Sequence, residues 1–311
     1  VISRLSRRCG WKPYPYEIPF ALLPNFKLTE DAVSHEIPGA FQQESIVDVF
    51  QRNSVKMSWQ FTALGLQNGN DRDRLHAVAS SFQQHADIYM LYQGVLDGVG
   101  HESGPESDEV CCAAEKLSHE IEDLVERFLV YEQEIILFVL GDHGMAPVRQ
   151  AADVCGAKNA LTALELVEYR DYEMFVDSIY VRLWGKTSRF SDLRNAIRDR
   201  VGKVLEYGDW LDYSWLDVET YGDMIWAADQ GCICVPDYFH GSHMCKGMHG
   251  YAPTASQMAG SAIVTRIGRN GPVKGKLTRH IEQGNLTDIA PTLASLFDVP
   301  VPASSEGESW F

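Results

Sequence analysis

With 311 residues, 45% hydrophobic and 23% charged, the chain can bury a sizeable core and is too apolar to be a disordered segment. Its 43 acidic and 27 basic side chains give a formal net charge of -16, which argues against a surface that holds nucleic acid or an anionic membrane. An acidic protein of this kind can still act on a phosphate ester if local cations, such as metal ions, neutralise its site.

The chain opens Val-Ile-Ser-Arg, without an initiator methionine or the apolar core of a signal peptide, so it is expected to begin inside a longer protein. Residues 1–44 form an irregular leading segment, crowded from Trp11 onward with proline and aromatic side chains (Pro13, Tyr14, Pro15, Tyr16, Pro19, Phe20, Pro24). Regular patterning starts at Ser45, which predicts an N-cap for a short helix through Phe50; residues 55–61 then predict a strand. Residues 71–84 predict a helix with Leu75, Val78, Ala79 and Phe82 on one side. An apolar run over 88–96 predicts a buried strand that ends abruptly at Asp97-Gly98-Val99-Gly100-His101. A long amphipathic helix follows over 109–131, its apolar face carrying Leu117, Ile121, Leu124, Phe128 and Leu129. A second buried strand over 135–140 stops at Gly141-Asp142-His143-Gly144. Strand, helix and strand make a crossover unit, which predicts that the strands at 88 and 135 are parallel neighbours.

Beyond them the pattern predicts strands over 179–183, 223–227, 232–235 and 262–265, with a helix over 191–205. A last helix is expected over 285–297, capped by Thr287 and with Pro291 tolerated near its first turn. The expected fold class is α/β, a central, mainly parallel sheet flanked by helices. Residues 45–311 form the core, and the less regular stretch 160–245 is a candidate cap insertion. No apolar run reaches membrane-spanning length.

Two strands thus end in an aspartate accompanied by a histidine, and in open α/β sheets ligands bind outside the carboxyl ends of the strands. Asp97 with His101, and Asp142 with His143, each supply a hard oxygen and an imidazole nitrogen, a mixture that suits zinc. His249, between glycines in Lys246-Gly247-Met248-His249-Gly250-Tyr251, is a candidate ligand from a third loop.

These residues resemble a known family. Asp97-x-x-x-His101 followed by Gly104-Pro105 is similar to a signature of the type I phosphodiesterases and nucleotide pyrophosphatases of the alkaline phosphatase superfamily. Gly141-Asp142-His143-Gly144-Met145 resembles their second metal motif, and Gly247-Met248-His249-Gly250-Tyr251 their late histidine motif. Leu286-Thr287-Asp288-Ile289-Ala290-Pro291-Thr292-Leu293 resembles the C-terminal helix of the superfamily. Each motif alone is common; four in the same order carry the resemblance.

The resemblance implies an alkaline phosphatase-like fold and hydrolysis of phosphodiester or pyrophosphate bonds with two zinc ions, manganese or iron being alternatives. Asp97, His101 and His249 would hold one ion, and Asp142 and His143 would belong to the other. The family completes its second site with an upstream aspartate and a threonine or serine nucleophile. Thr29, Asp31 and Ser34 match those positions poorly, so the nucleophile and that aspartate are expected to lie upstream of Val1. The expected substrate is a small-molecule, lipid-linked or sugar-linked phosphate ester. A sulfatase, phosphonate hydrolase or phosphotransferase of the same superfamily is the enzymatic alternative, and a non-catalytic fragment or pseudoenzyme the other.

The remaining candidates read more simply as structure. The seven cysteines are an odd, scattered set that suggests a reducing compartment and leans towards the cytoplasm, not a disulfide framework. Cys232, Cys234, His240, His243 and Cys245 lack zinc-finger spacing, and Cys111 and Cys112 are expected to pack. Met145, Met248 and Met258 are expected in the core, and His35, His76, His85, His119 and His280 have no partner in the sequence pattern.

Overall fold

The computed structural model describes residues 19, 22, 37–60, 70–82, 85–186, 188–197, 203–205, 221–238, 240–252, 254–273 and 284–311. In chain order its principal elements are α1 (Ile46–Arg52), β1 (Met57–Gln60), α2 (Asp71–Ser81), β2 (Ile88–Leu91), α3 (Val95–Ser103), α4 (Asp108–Tyr131) and β3 (Glu134–Gly141). There follow β4 (Ala146–Pro147), β5 (Gln150–Ala152), α5 (Val154–Ala163), β6 (Tyr172–Val176), β7 (Tyr180–Gly185), α6 (Phe190–Ile197) and β8 (Lys203–Leu205). The rest are β9 (Met224–Ala227), β10 (Cys232–Cys234), β11 (Gly247–Met248), β12 (Ser261–Gly268), β13 (Gly271–Pro272) and α7 (Ile289–Leu296). No described helix is long and apolar enough to cross a membrane.

The chain divides into two compact units, one made of Val1–Glu30, Val99–Val110 and His143–Ala259, the other of Asp31–Gly98, Cys111–Asp142 and Gly260–Phe311. The first unit is built on an antiparallel sheet in the order β6-β7-β9-β8. Period-two burial drives it: Tyr172, Met174 and Val176 of β6 and Val181 and Leu183 of β7 are buried with Trp226 of β9. They join one cluster with Val154, Ala157 and Leu161 of α5, which Asp153 caps through the Gly156 N–H at 2.8 Å. Two small ladders complete the unit, β5 with β10 in parallel and β4 with β11 antiparallel.

In the second unit Ser45 caps α1 with a full capping box to Asp48, as expected. Phe50 of α1 is buried edge-on to Phe297, with ring centroids 5.1 Å apart. β1 and β2 pair in parallel, while β3 pairs antiparallel with β12, which in turn pairs with β13. The face of α4 that carries Leu117, Ile121, Leu124, Phe128 and Leu129 is half-buried, as the pattern predicts.

Several expectations are corrected. The strands at 88 and 135 are not partners in any described ladder: β2 pairs with β1, and β3 pairs with β12 over its whole length. Residues 203–205 form β8 instead of the end of a helix; α6 is described over Phe190–Ile197, and residues 198–202 lie outside the described set. The strand at 262–265, expected in the core, is exposed at its start, at Ser261, Ala262 and Ile263. Thr287 is not a cap: Asn285 opens a 3-10 turn in a capping box with Asp288, and α7 begins at Ile289. Cys111 and Cys112 are exposed on α4. Met248 and Met258 are buried as expected, whereas His119 has a partner, Glu122 at 3.3 Å. Thr29, Asp31, Ser34, His35 and His280 lie outside the described residues.

Candidate metal centre

The metal-ligating side chains predicted from the motifs fall into a carboxylate set and an imidazole set. Asp97 and Asp142 belong to the second unit, and His101, His143 and His249 to the first. Asp97 and His101 are one turn apart on α3, and Asp142 and His143 are consecutive in the chain.

Asp97 does not end a strand. β2 stops at Leu91, Tyr92-Gln93-Gly94 turns the chain, and Val95 starts α3 with Asp97 in its first turn. A carboxylate is favoured there by the helix dipole. The turn is braced from α2. Asp71 accepts the Gly94 N–H at 3.0 Å, and Arg74, paired with Asp71, donates Nε–H to the Tyr92 carbonyl at 2.9 Å. Burial raises the Tyr92 phenol above its ordinary range, and the Asp97 and Asp142 carboxylates push it further, with Arg74 opposing. Asp142 follows β3 directly, as expected.

The imidazoles are held by backbone. Lys246 N–H donates to the His101 carbonyl at 2.8 Å, and His101 Nδ1–H donates to the Gly247 carbonyl at 2.8 Å, a reciprocal clamp between α3 and β11. That leaves Nε2 of His101 as the lone-pair nitrogen, and it faces Nε2 of His249 at 3.2 Å. The His143 ring stacks on that of His249 at 3.9 Å between centroids, and their ligand nitrogens lie within 4.8 Å of each other. Nδ1 of His143 is 3.0 Å from the Gly144 carbonyl.

Two glycines matter here. Gly247 lets β11 run against the Gly100 carbonyl and Met145, where a side chain would collide. Gly250 takes φ +83, a left-handed turn straight after His249. Hydroxyls pin the flanks: Tyr180 to the Gly250 carbonyl at 2.7 Å and Tyr251 to the Cys232 carbonyl at 3.0 Å. Burial raises the Tyr251 phenol strongly, so its hydroxyl stays a donor.

His240, which the sequence pattern offered only as part of an irregular Cys/His group, is a neighbour the motifs missed. Its ring centroid is 6.3 Å from that of His101, and both line one cavity with His249. Asp237, three residues earlier, was the available signal. Cys232, Cys234 and Cys245 are buried, and burial raises the Cys232 and Cys234 thiols, which suits packing.

The profile of the type I phosphodiesterase/nucleotide pyrophosphatase family matches residues 24–252. A search of curated proteins found no match. Among solved structures, murine ectonucleotide pyrophosphatase/phosphodiesterase 5 superposes with a TM-score of 0.66 at 15% identity, over 84% of this chain and 72% of that one. An inactive variant of the murine protein in complex with AMP gives 0.65 at 14%, over 84% and 71%. The human counterpart gives 0.60 at 16%, over 82% and 70%. The α/β fold is that of these proteins, and the chain belongs to the type I phosphodiesterase/nucleotide pyrophosphatase family, as a hydrolase of phosphodiesterase or pyrophosphatase type.

Proposed function

We propose that the protein hydrolyses phosphodiester or pyrophosphate bonds of small-molecule, lipid-linked or sugar-linked phosphate esters with two bound metal ions. Zinc is the leading assignment, with manganese or iron as alternatives. Asp97, His101 and His249 are the ligands of one ion, and Asp142 and His143 belong to the other.

The observation that carries this reading is the approach of two ring nitrogens, His101 Nε2 and His249 Nε2, to 3.2 Å. His101 has already committed its Nδ1 proton to a carbonyl, the arrangement that orients a metal-ligating histidine. Aspartate and histidine donors are the ligand types that suit zinc. Bound divalent metal would supply charge neutralisation and Lewis acidity at phosphorus. The chain's own contribution is to hold the imidazoles: the Lys246 and Gly247 backbone orients His101, and Tyr180 and Tyr251 fix the turn that carries His249. In the same reading, 160–245 is a cap on a core of 45–311, controlling which esters enter.

The test is metal content of the full-length protein together with turnover of bis(4-nitrophenyl) phosphate, before and after chelation. Bound zinc and turnover restored by added zinc are expected. A protein that holds no metal and gains no turnover from any of the three metals sinks the proposal.

A further inference from the structure

Beside His101 and His249 the first unit carries an open pocket of about 400 Å³, whose polar lining includes Asp177, Ser178, Tyr180 and His240. No lysine or arginine is among the described residues that line it. A second phosphate placed there would face the Asp177 carboxylate, whose partner cation, Arg182 at 3.9 Å, is already engaged with it.

The lining groups are arranged to accept hydrogen bonds. The Asp237 side chain is fully buried and lies 3.1 Å from Nδ1 of His240. A carboxylate only accepts, so Nδ1 carries the proton, and the Ser178 hydroxyl at 3.1 Å shares it. Asp237 also accepts the His240 backbone N–H, which fixes the whole residue. The remaining nitrogen, Nε2, is then a lone-pair acceptor. Asp177 takes the Ser178 N–H on one oxygen at 2.6 Å, and its other oxygen is 3.9 Å from Arg182. Tyr180 has spent its proton on Gly250.

We infer that Asp177 and Nε2 of His240 form a subsite for an uncharged, hydroxyl-bearing group, so the preferred substrates are phosphodiesters of a polyol or sugar and not nucleoside polyphosphates. The inference rests on the hydrolase reading above. It makes His240 a specificity residue, held in its acceptor tautomer by Asp237 and Ser178, and it uses an acidic lining as selection against extra phosphates.

The test compares kcat/KM of the full-length, zinc-loaded protein on glycerophosphoinositol, on ATP and on bis(4-nitrophenyl) phosphate, which has no hydroxyl. Wild type should prefer glycerophosphoinositol to ATP. In Asp177→Asn, and in His240→Asn (whose amide NH2 keeps a donor to Asp237 and which has no atom at the Nε2 position), the ratio of glycerophosphoinositol to bis(4-nitrophenyl) phosphate kcat/KM should fall about tenfold. Metal content should not change. A ratio unmoved in both variants, or a wild type that prefers ATP, overturns the inference while chromogenic turnover leaves the hydrolase reading standing. Absence of chromogenic turnover in wild type sinks the hydrolase reading itself. The wild-type comparison decides the matter even if a variant fails to fold.

Discussion

The two units hold their share of the motif residues by different means. In the first, the imidazoles sit on the end of α3 and on turns beside short strands, and the unit is built on a continuous apolar cluster with Trp226, Leu183 and Ile233 fully buried. In the second, α4 has no buried residue at all, and the turn leading to Asp97 is fixed by an ion pair and hydrogen bonds from Asp71 and Arg74. One set of candidate ligands therefore depends on packing, which is insensitive to salt and pH. The other depends on charged groups, which are not.

The contrast is tested most severely at Trp226. Trp226→Ala removes the largest fully buried side chain among the described residues, and a cost of about 4 kcal/mol is expected in urea unfolding. A cost below about 1 kcal/mol would show that the apolar cluster does not hold the first unit together. Gly247→Ala comes next. The added methyl meets the Gly100 carbonyl, and backbone must shift, at about 3 kcal/mol. Because the same strand orients His101, zinc binding should weaken with stability; unaltered zinc affinity would separate β11 from the metal centre.

These same residues mark what the sequence made legible. Asp142 and His143 were found where they stand because the apolar run before them is a strand with one clean end. Asp97 was assigned to the wrong element, since Val95 and Leu96 continue the apolar run of β2 although they already belong to α3. Glycines at 98 and 100 hid that helix: their low helix propensity reads as a turn, while the structure uses the missing Cβ of Gly100 to admit Met145. His240 escaped because its hydroxyl partner, Ser178, lies 62 residues away and no periodicity links them. The pairing of β3 with β12 is hidden for a similar reason. Partner choice across more than a hundred residues depends on tertiary packing, and local pattern carries no record of it.

The polar brace is the next place to press. Arg74→Met strips Asp71 of its cation and the Tyr92 carbonyl of a donor, and its stacking over the Tyr92 ring, 5.4 Å from the centroid, is lost as well. The expected loss is about 2 kcal/mol. Zinc affinity should fall about tenfold, because the turn before Asp97 loses its support. The wild-type protein should show part of the same weakening at high salt, whereas Trp226→Ala should not change the salt dependence. Equal salt dependence in both variants would erase the distinction between the units.

The smallest effect expected is at Asp288, where the second unit again relies on a charge. Its carboxylate accepts the Asn285 and Glu308 backbone N–H groups at 2.8 and 3.0 Å and the Trp310 indole N–H at 3.2 Å. The backbone donors, with Trp310 adding to them, hold its pKa below the ordinary value of 3.8. A depressed folded-state pKa contributes stability that is complete above the unfolded value and disappears as pH falls through the folded one. Asp288→Asn should therefore cost about 1 kcal/mol near neutral pH, the scale of a lost cap. The gap between variant and wild type should close on acidification below about pH 4, as the wild-type carboxyl takes up its proton. Urea unfolding across that range gives the answer directly. A gap that stays constant with pH would mean that the hydrogen bonds at Asp288 count through geometry alone, and that charge does not anchor this end of the second unit.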